Sequence, residues 1–469
     1  MKRRTFIKAA AAATASLSLT HLSACKLSSK VDVVVIGAGL SGLSAARELV
    51  KNDVSVLVVE ARSRVGGRTY NQPVNTSGAI IDGGGQWVGP TQSEILALAR
   101  ELKITIFDTW NEGEAVGLFE GQRLVGTELD SDPETVEDLE RVIGLINEMA
   151  ATVPLQAPWD AVNANSWDAQ YLGDWLDENT RMQGARDELE AGVASILDAA
   201  SSQISLLWFL FYVRSAGSYQ VLQSIEGGAQ QYRFVEGAQQ ISIRMAQELG
   251  KRRIILGEPV QQIASDQEHV YVQLSSGIVE AKQVIVAMMP ADAEKITFSP
   301  PLPHARSSLQ TNWATSSGFK IHIVYPSAFW REAGLSGQAT TDTGVSSVFD
   351  NSPASGTPGI LIVFAEAGQL PNDKMQRMQQ VVGTLVQLFG NEAATPVEYI
   401  EMDWAKETFT EGCESPLGIN VLTRYGHALR PPAGRIYWAG TEAALVWNGY
   451  MEGAIRAGKQ AAVNVIAGL

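Results

Sequence analysis

From residue 31 the chain reads Val-Asp-Val-Val-Val-Ile-Gly, a nearly unbroken β-branched run closed by glycine. It lacks the alternation of a half-exposed strand, which predicts a strand buried on both faces of a parallel sheet. "LSGLSAARELVKN" (40–52) then has helical spacing, and "VSVLVVE" (54–60) is a second buried run, completing a strand-helix-strand unit. Residues 133–215 are mostly helical in pattern, clearest in "ETVEDLERVIGLINEMAATV" and "ISLLWFLFYVRSA". Strand-like alternation returns in "VYVQLSSGIVEAKQVIVAM" (270–288), "FKIHIVY" (319–325) and "GILIVFAEA" (359–367). The last segment pairs a strand, "RIYWAG", with a helix, "MEGAIRAGKQAAVNVIA". No internal repeat is present. Strands and helices are interleaved along the whole chain, so its domains are expected to be discontinuous.

Composition narrows the class. A length of 469 residues with 45% apolar side chains suits a globular protein of two or three domains. No window reaches the roughly 18 apolar residues of a membrane-spanning helix. The formal charge of −15 disfavours nucleic acid and favours cationic small molecules, although acidic excess also serves solubility. Five scattered histidines (His21, His269, His304, His322, His427) offer no metal-ligand spacing, so no metal site is expected. Residues 1–25 read as an address: Arg3-Arg4 followed by Phe6-Ile7-Lys8 and an alanine-rich run resembles a twin-arginine export signal. Leu22-Ser23-Ala24-Cys25 resembles a lipobox, which would make Cys25 the lipid anchor of a periplasmic protein. The twin-arginine route carries folded cargo, in keeping with a cofactor inserted before export. Cys413, the other cysteine, is then left without a disulfide partner.

Gly37-Ala-Gly39-Leu-Ser-Gly42 lies between the first strand and the first helix, where glycines let backbone amides and a helix N-terminus approach a pyrophosphate. Glu60 ends the second strand, in place to bind a ribose diol. This fingerprint does not separate NAD from FAD. The run Glu60-Ala-Arg62-Ser-Arg64-Val-Gly66-Gly67-Arg68-Thr69 does, because it resembles the second FAD motif of the amine oxidase flavoproteins. Arg68 suits phosphate through its planar fork. Gly84-Gly85-Gln86-Trp87-Val88-Gly89-Pro90-Thr91-Gln92 resembles the segment that lies beside the flavin ring in monoamine oxidases.

On these residues, and on ordered segments through 425–462, the chain resembles the flavin-containing monoamine oxidase family from about residue 31 to its end. The resemblance implies FAD and an α/β fold: a Rossmann-like βαβ FAD-binding domain of the p-hydroxybenzoate-hydroxylase type, from 31–106, 230–305 and 406–469, and a mixed-sheet-plus-helices substrate domain from 107–229 and 306–405. It further implies that Val260, Gly440, Thr441, Glu442 and Met451 contact the cofactor. Lys320 would hold a water against the flavin where oxygen reacts. Tyr450 would form one wall of the aromatic cage that grips the amine, with Trp447 as a neighbour in the substrate pocket.

Trp404-Ala-Lys-Glu407-Thr-Phe-Thr-Glu-Gly412-Cys413 has the spacing of the family run whose cysteine carries the flavin as a thioether. Glu414 follows where the family usually has the second aromatic wall. A covalent and a non-covalent flavin both stay open here, as does the side on which Glu414 lies. The implied activity is oxidation of a primary or secondary amine, with electrons passed to O2 or a periplasmic carrier. Three alternatives remain: an L-amino-acid oxidase with Arg214 as carboxylate anchor, a polyamine oxidase using Glu414, and a flavin electron-transfer protein. A homodimer is compatible with all of them.

Overall fold

A computed structural model describes residues 27–469 apart from 130, 317, 366 and 411. The expected export signal and Cys25 lie outside the described residues.

The first strand, Leu27–Ile36, begins before the β-branched run and pairs in parallel with Val56–Val59 on one side and Ile278–Ala287 on the other. Val33, Val34 and Val35 are fully buried: Val33 and Val35 pack into a core with the helix residues Leu43 and Ala46, and Val34 into a second core with Ile263, Val270 and Val272. The remaining strands of this eight-stranded sheet come from Ile254–Ile255, Gln262–Ser265, Val270–Gln273, Thr297–Ser299 and Ile436–Ala439. Two helices pack together on this sheet, Leu40–Lys51 and Met451–Ala467. Their approach is close enough that a Cβ at Gly458 would lie 2.0 Å from the Ser41 carbonyl oxygen.

A second, seven-stranded sheet runs in the order 398–403, 319–325, 359–365, 345–350, 335–341, 114–119, 122–125. Only the pairing of Leu335–Thr341 with Glu114–Phe119 is parallel. The alternation in Phe319–Tyr325 predicts one wet face, yet all seven residues are buried. The face bearing Lys320 and His322 is turned inward, against the glycine-rich segment at residues 84–86.

The helical layer contains Pro133–Ala151, Gln183–Leu197 and Leu206–Ala216. Asp132 caps the first by accepting from the amides of Glu134 and Thr135. Leu206–Ala216 is apolar on every side, and only Arg214 is exposed, as expected for a helix at the centre of a core. Burying each of its Leu and Phe side chains contributes about 1.5–3 kcal/mol. This helix also holds the cysteine loop: Trp208 Nε1 donates to the Ser415 carbonyl at 2.7 Å, and Ser205 N to the Leu417 carbonyl at 2.8 Å. Among the described residues, no helix is long and apolar enough to cross a membrane.

Candidate active site

A cavity of about 1300 Å³ lies between the two sheets and is walled by residues from both. At one end the strand-to-helix turn exposes backbone. Gly37 has φ +100°, and a Cβ there would meet the Ala287 carbonyl oxygen at 2.7 Å. Gly39 faces open cavity, with nothing nearer than 3.8 Å to a Cβ. Gly42 is not on the wall; its missing side chain lets the helix sit on the turn. The helix has no side-chain cap, so its first N–H groups at Leu40 and Ser41 remain for a ligand. Glu60 is buried, its Oε2 accepting from Ala38 N at 2.7 Å and its Oε1 from Arg62 N at 2.9 Å. Each oxygen keeps a further acceptor site for a diol.

Arg62 lines the wall and is held by Glu407 at 3.1 Å, beside Gly66 and Gly67, both with positive φ. Arg68 donates to Glu442 Oε1 at 2.6 Å and to the Cys413 carbonyl at 2.8 Å. Its guanidinium thus joins the second glycine motif to the cysteine loop while staying on the cavity wall. Glu442 lies behind Arg68 and off the wall, so its place is that of a counter-charge and not of a direct contact. Gly440, Thr441, Val260 and Met451 complete this side. Met451 opens the helix Met451–Ala467, whose N-terminus has no side-chain cap either. Two uncapped helix N-termini, a carboxylate placed for a diol and a lined guanidinium meet in one elongated cavity. These groups fit a dinucleotide with a pyrophosphate and an electron-rich ring, which is the chemistry of FAD.

The other end is aromatic and polar. Lys320, from the buried strand, donates to the Gly84 carbonyl and to Gln86 Oε1 at 2.8 Å. Gln86 is fixed in turn by its amide bond to Asn351 Oδ1 at 2.9 Å. Burial pulls the Lys320 ammonium down to about 7, against the opposing pull of the Asp82 carboxylate. Gly85 and Trp87 line the wall nearby, with Trp87 edge-on to Phe349 at 5.6 Å. Tyr450 stands beside Tyr212, their ring centroids 6.1 Å apart, and burial raises both phenols above the usual tyrosine range.

Trp447, expected in the substrate pocket, does not reach it. It is buried in a left-handed conformation (φ +53°) and packs edge-on against Tyr450 at 4.8 Å, so it braces the cage from behind. Arg214 is exposed and off the wall, which leaves the amino-acid oxidase reading without its carboxylate anchor.

Cys413 and Glu414 enter the cavity beside Tyr450 and Tyr212. The thiol donates to Glu414 Oε1 at 3.4 Å, and burial with the neighbouring carboxylate pushes it well up. Glu414 itself is raised to about 7 by burial, partly offset by Arg68. Tyr212, Asp198, Ser316, Phe349 and Phe364 also line the wall and were not singled out from sequence. Tyr212 lies in a segment whose uniformly apolar pattern reads only as core. Asp198 ends a helix in a left-handed turn and accepts from Gly318 N at 2.6 Å, a pairing 120 residues apart that no local signal marks.

The fold and site define a flavin-dependent amine oxidoreductase, and comparison with known proteins places the chain. Residues 40–466 match the family described as flavin containing amine oxidoreductase. The chain called flavin-containing monoamine oxidase AofH of Mycobacterium tuberculosis is 38% identical over 446 residues, 93% of this chain and 97% of that one. Amine oxidase B of Sus scrofa is 35% identical over 458 residues, 94% of this chain and 87% of that one. A structure of putrescine oxidase bound to putrescine superposes with a TM-score of 0.89 at 32% identity, covering 93% of this chain and 99% of that one. The chain belongs to the flavin-containing amine oxidoreductase family; it is an enzyme, and its cofactor is FAD.

Proposed function

We propose that the enzyme oxidises a primary or secondary amine to an imine, which water hydrolyses to an aldehyde or ketone, while O2 is reduced to H2O2. Bound FAD supplies the two-electron acceptor for the carbon next to nitrogen and passes the electrons on. The observation that carries this reading is the cavity end where the ring pair Tyr450–Tyr212 and Lys320 enter one space. The tyrosines present ring faces and edges that orient an amine. Trp447 behind Tyr450 fixes the ring, and Lys320 holds a donor toward the side where oxygen would react. No side-chain metal chemistry enters this scheme.

On this reading the first sheet carries the nucleotide and the second sheet with the helical layer carries the substrate side. Gly37, Gly39, Glu60, Arg62, Gly66, Gly67, Arg68 and Val260 then hold the adenine and phosphate half. Gly84, Gly85, Gln86, Trp87 and Met451 then surround the ring. The N-terminal twin-arginine pattern and Cys25 support export with cofactor bound and a periplasmic, lipid-anchored enzyme.

The test is anaerobic mixing of the holoenzyme with a panel of monoamines, diamines and α-amino acids, followed at the flavin band. Bleaching by amines with stoichiometric peroxide on admitting air supports the proposal; no bleaching by any amine ends it.

Cys413 is a free cysteine that lines the cavity, and we propose that it carries the flavin as a thioether. Acid precipitation of the wild type is then expected to leave the yellow colour in the pellet, and Cys413→Ser to release all of it to the supernatant. Colour wholly in the supernatant for the wild type rejects the bond.

A further inference from the structure

The residue after Cys413 has no role in the scheme above, yet it stands at the substrate end of the cavity. Glu414 is pinned through its backbone: its N–H donates to Ser316 Oγ at 3.1 Å, and its carbonyl accepts from Ser316 N at 3.2 Å. Its carboxylate accepts the Cys413 thiol at 3.4 Å and faces the same space as Tyr450 and Tyr212. An aromatic side chain at this position could only wall the pocket; a carboxylate can also exchange a proton.

We propose that Glu414 is a catalytic residue that accepts the proton of the incoming substrate ammonium. Resting on the amine-oxidation reading, this assigns a role to a group that reading leaves unused. An alkyl amine has a pKa near that of lysine, about 10, and arrives as its ammonium at neutral pH. Only the neutral amine can release electron density from its α-carbon. The step is balanced: an N–H bond of the ammonium breaks, its electron pair stays on nitrogen, and the proton bonds to a Glu414 carboxylate oxygen. The charge pair becomes a neutral pair, which suits a buried site better than separated charges.

The surroundings tune Glu414 for the task. Burial raises its carboxyl to about 7, and Asp198 and Glu442 push in the same direction. Arg68 opposes them across the cysteine loop. Tyr212 and Tyr450 face it as neutral phenols, held neutral in part by its charge. A carboxylate with a raised pKa is a better base than an ordinary one, and above pH 7 it is ionised and ready.

The experiment is the pH dependence of flavin reduction by a monoamine under argon, at limiting substrate, in wild type, Glu414→Gln and Glu414→Tyr. Binding of a non-oxidisable quaternary ammonium is followed in parallel by the flavin spectrum. In wild type the rate is expected to rise about tenfold per pH unit below the Glu414 pKa and level off above it, with quaternary ammonium binding following the same curve. In both variants this limb is expected to vanish, the rise moving up toward the amine's own pKa near 10, with quaternary ammonium binding weak and flat with pH. Lys320 also titrates near 7 in this cavity, so the profile is repeated in Lys320→Met, where the limb is expected to stay.

An unchanged limb in Glu414→Gln overturns the proposal, as does its loss in Lys320→Met alone. If Glu414→Gln weakens diamines while leaving the monoamine profile intact, the carboxylate anchors a distal ammonium and the proposal is again overturned. Absence of bleaching in the wild type would instead refute the amine-oxidation reading itself.

Discussion

Gly42→Ala is expected to give a protein that no longer retains FAD through gel filtration, with occupancy down about tenfold or more. The added Cβ would lie 1.9 Å from the Gly37 carbonyl oxygen, 3.1 Å from its carbon and 3.2 Å from Val35 Cγ1. None of these is the free end of a flexible side chain. Gly37 is locked against Ala287, and Val35 belongs to the fully buried first strand. The helix Leu40–Lys51 must therefore move, and Gly458 and Ser41 leave it no room on the side of the C-terminal helix. Overpacking of this kind costs about 1–3 kcal/mol, and more where backbone meets backbone. The displacement carries the uncapped N–H groups of Leu40 and Ser41 away from the cavity, so the loss appears in cofactor affinity as well as melting temperature. Gly39→Ala is the contrast, since its Cβ clashes with nothing and fills cavity space instead. A Gly42→Ala protein with wild-type flavin affinity would show that this glycine does not set the turn.

How much of this was legible in sequence differs between the two ends of the cavity. The nucleotide end is local: Gly37, Gly39, Gly42 and Glu60 sit within one strand-helix-strand unit, whose buried runs and glycine spacing follow from backbone geometry alone. The pairing of the first strand with Ile278–Ala287 joins segments over 240 residues apart, yet both runs read as buried strands. The second sheet was harder. Its parallel pairing of Glu114–Phe119 with Leu335–Thr341 leaves no mark in either segment. Alternation in Phe319–Tyr325 predicts a wet face, because a face bearing Lys320 and His322 is normally solvated; here the carbonyl of Gly84 and the amide of Gln86 stand in for water at Lys320.

The same holds for charge pairs. Arg68 reads as a phosphate ligand, and the sequence offers no sign that Glu442, 374 residues on, meets it first. Trp447 and Tyr450 are three residues apart, and spacing alone does not say which faces the ligand. The left-handed turn at Trp447 decides it, sending the indole behind the phenol. The sequence leaves the side of Glu414 open; its backbone bonds to Ser316 hold the residue, which lines the cavity with Tyr450 and Tyr212.

Lys320→Met is expected to slow reoxidation of the reduced enzyme by O2 about a hundredfold, the usual effect of removing one preorganised donor. Reduction by amine is expected to change only a few-fold, because the tyrosine pair and Glu414 lie on the substrate side. The expected effect is electrostatic. Reduction of O2 builds negative charge in a space without bulk water, where a fixed ammonium is worth far more than in solution. Lys320 is placed for this by the Gly84 carbonyl and Gln86 Oε1, the latter held by Asn351. Its folded-state pKa is lowered to about 7, so the ammonium is present below that value and lost as pH rises through it. Wild-type reoxidation is therefore expected to fall above pH 7 and Lys320→Met to be flat, while Lys320→Arg, which stays charged, keeps the fast rate to higher pH. Methionine also leaves two buried acceptors unpaired at a cost of about 1–3 kcal/mol each, so melting temperature is measured alongside. A lower melting temperature with unchanged reoxidation would make Lys320 a strut between the two sheets and nothing more; slow reoxidation in a well-folded variant identifies the charge as what oxygen meets.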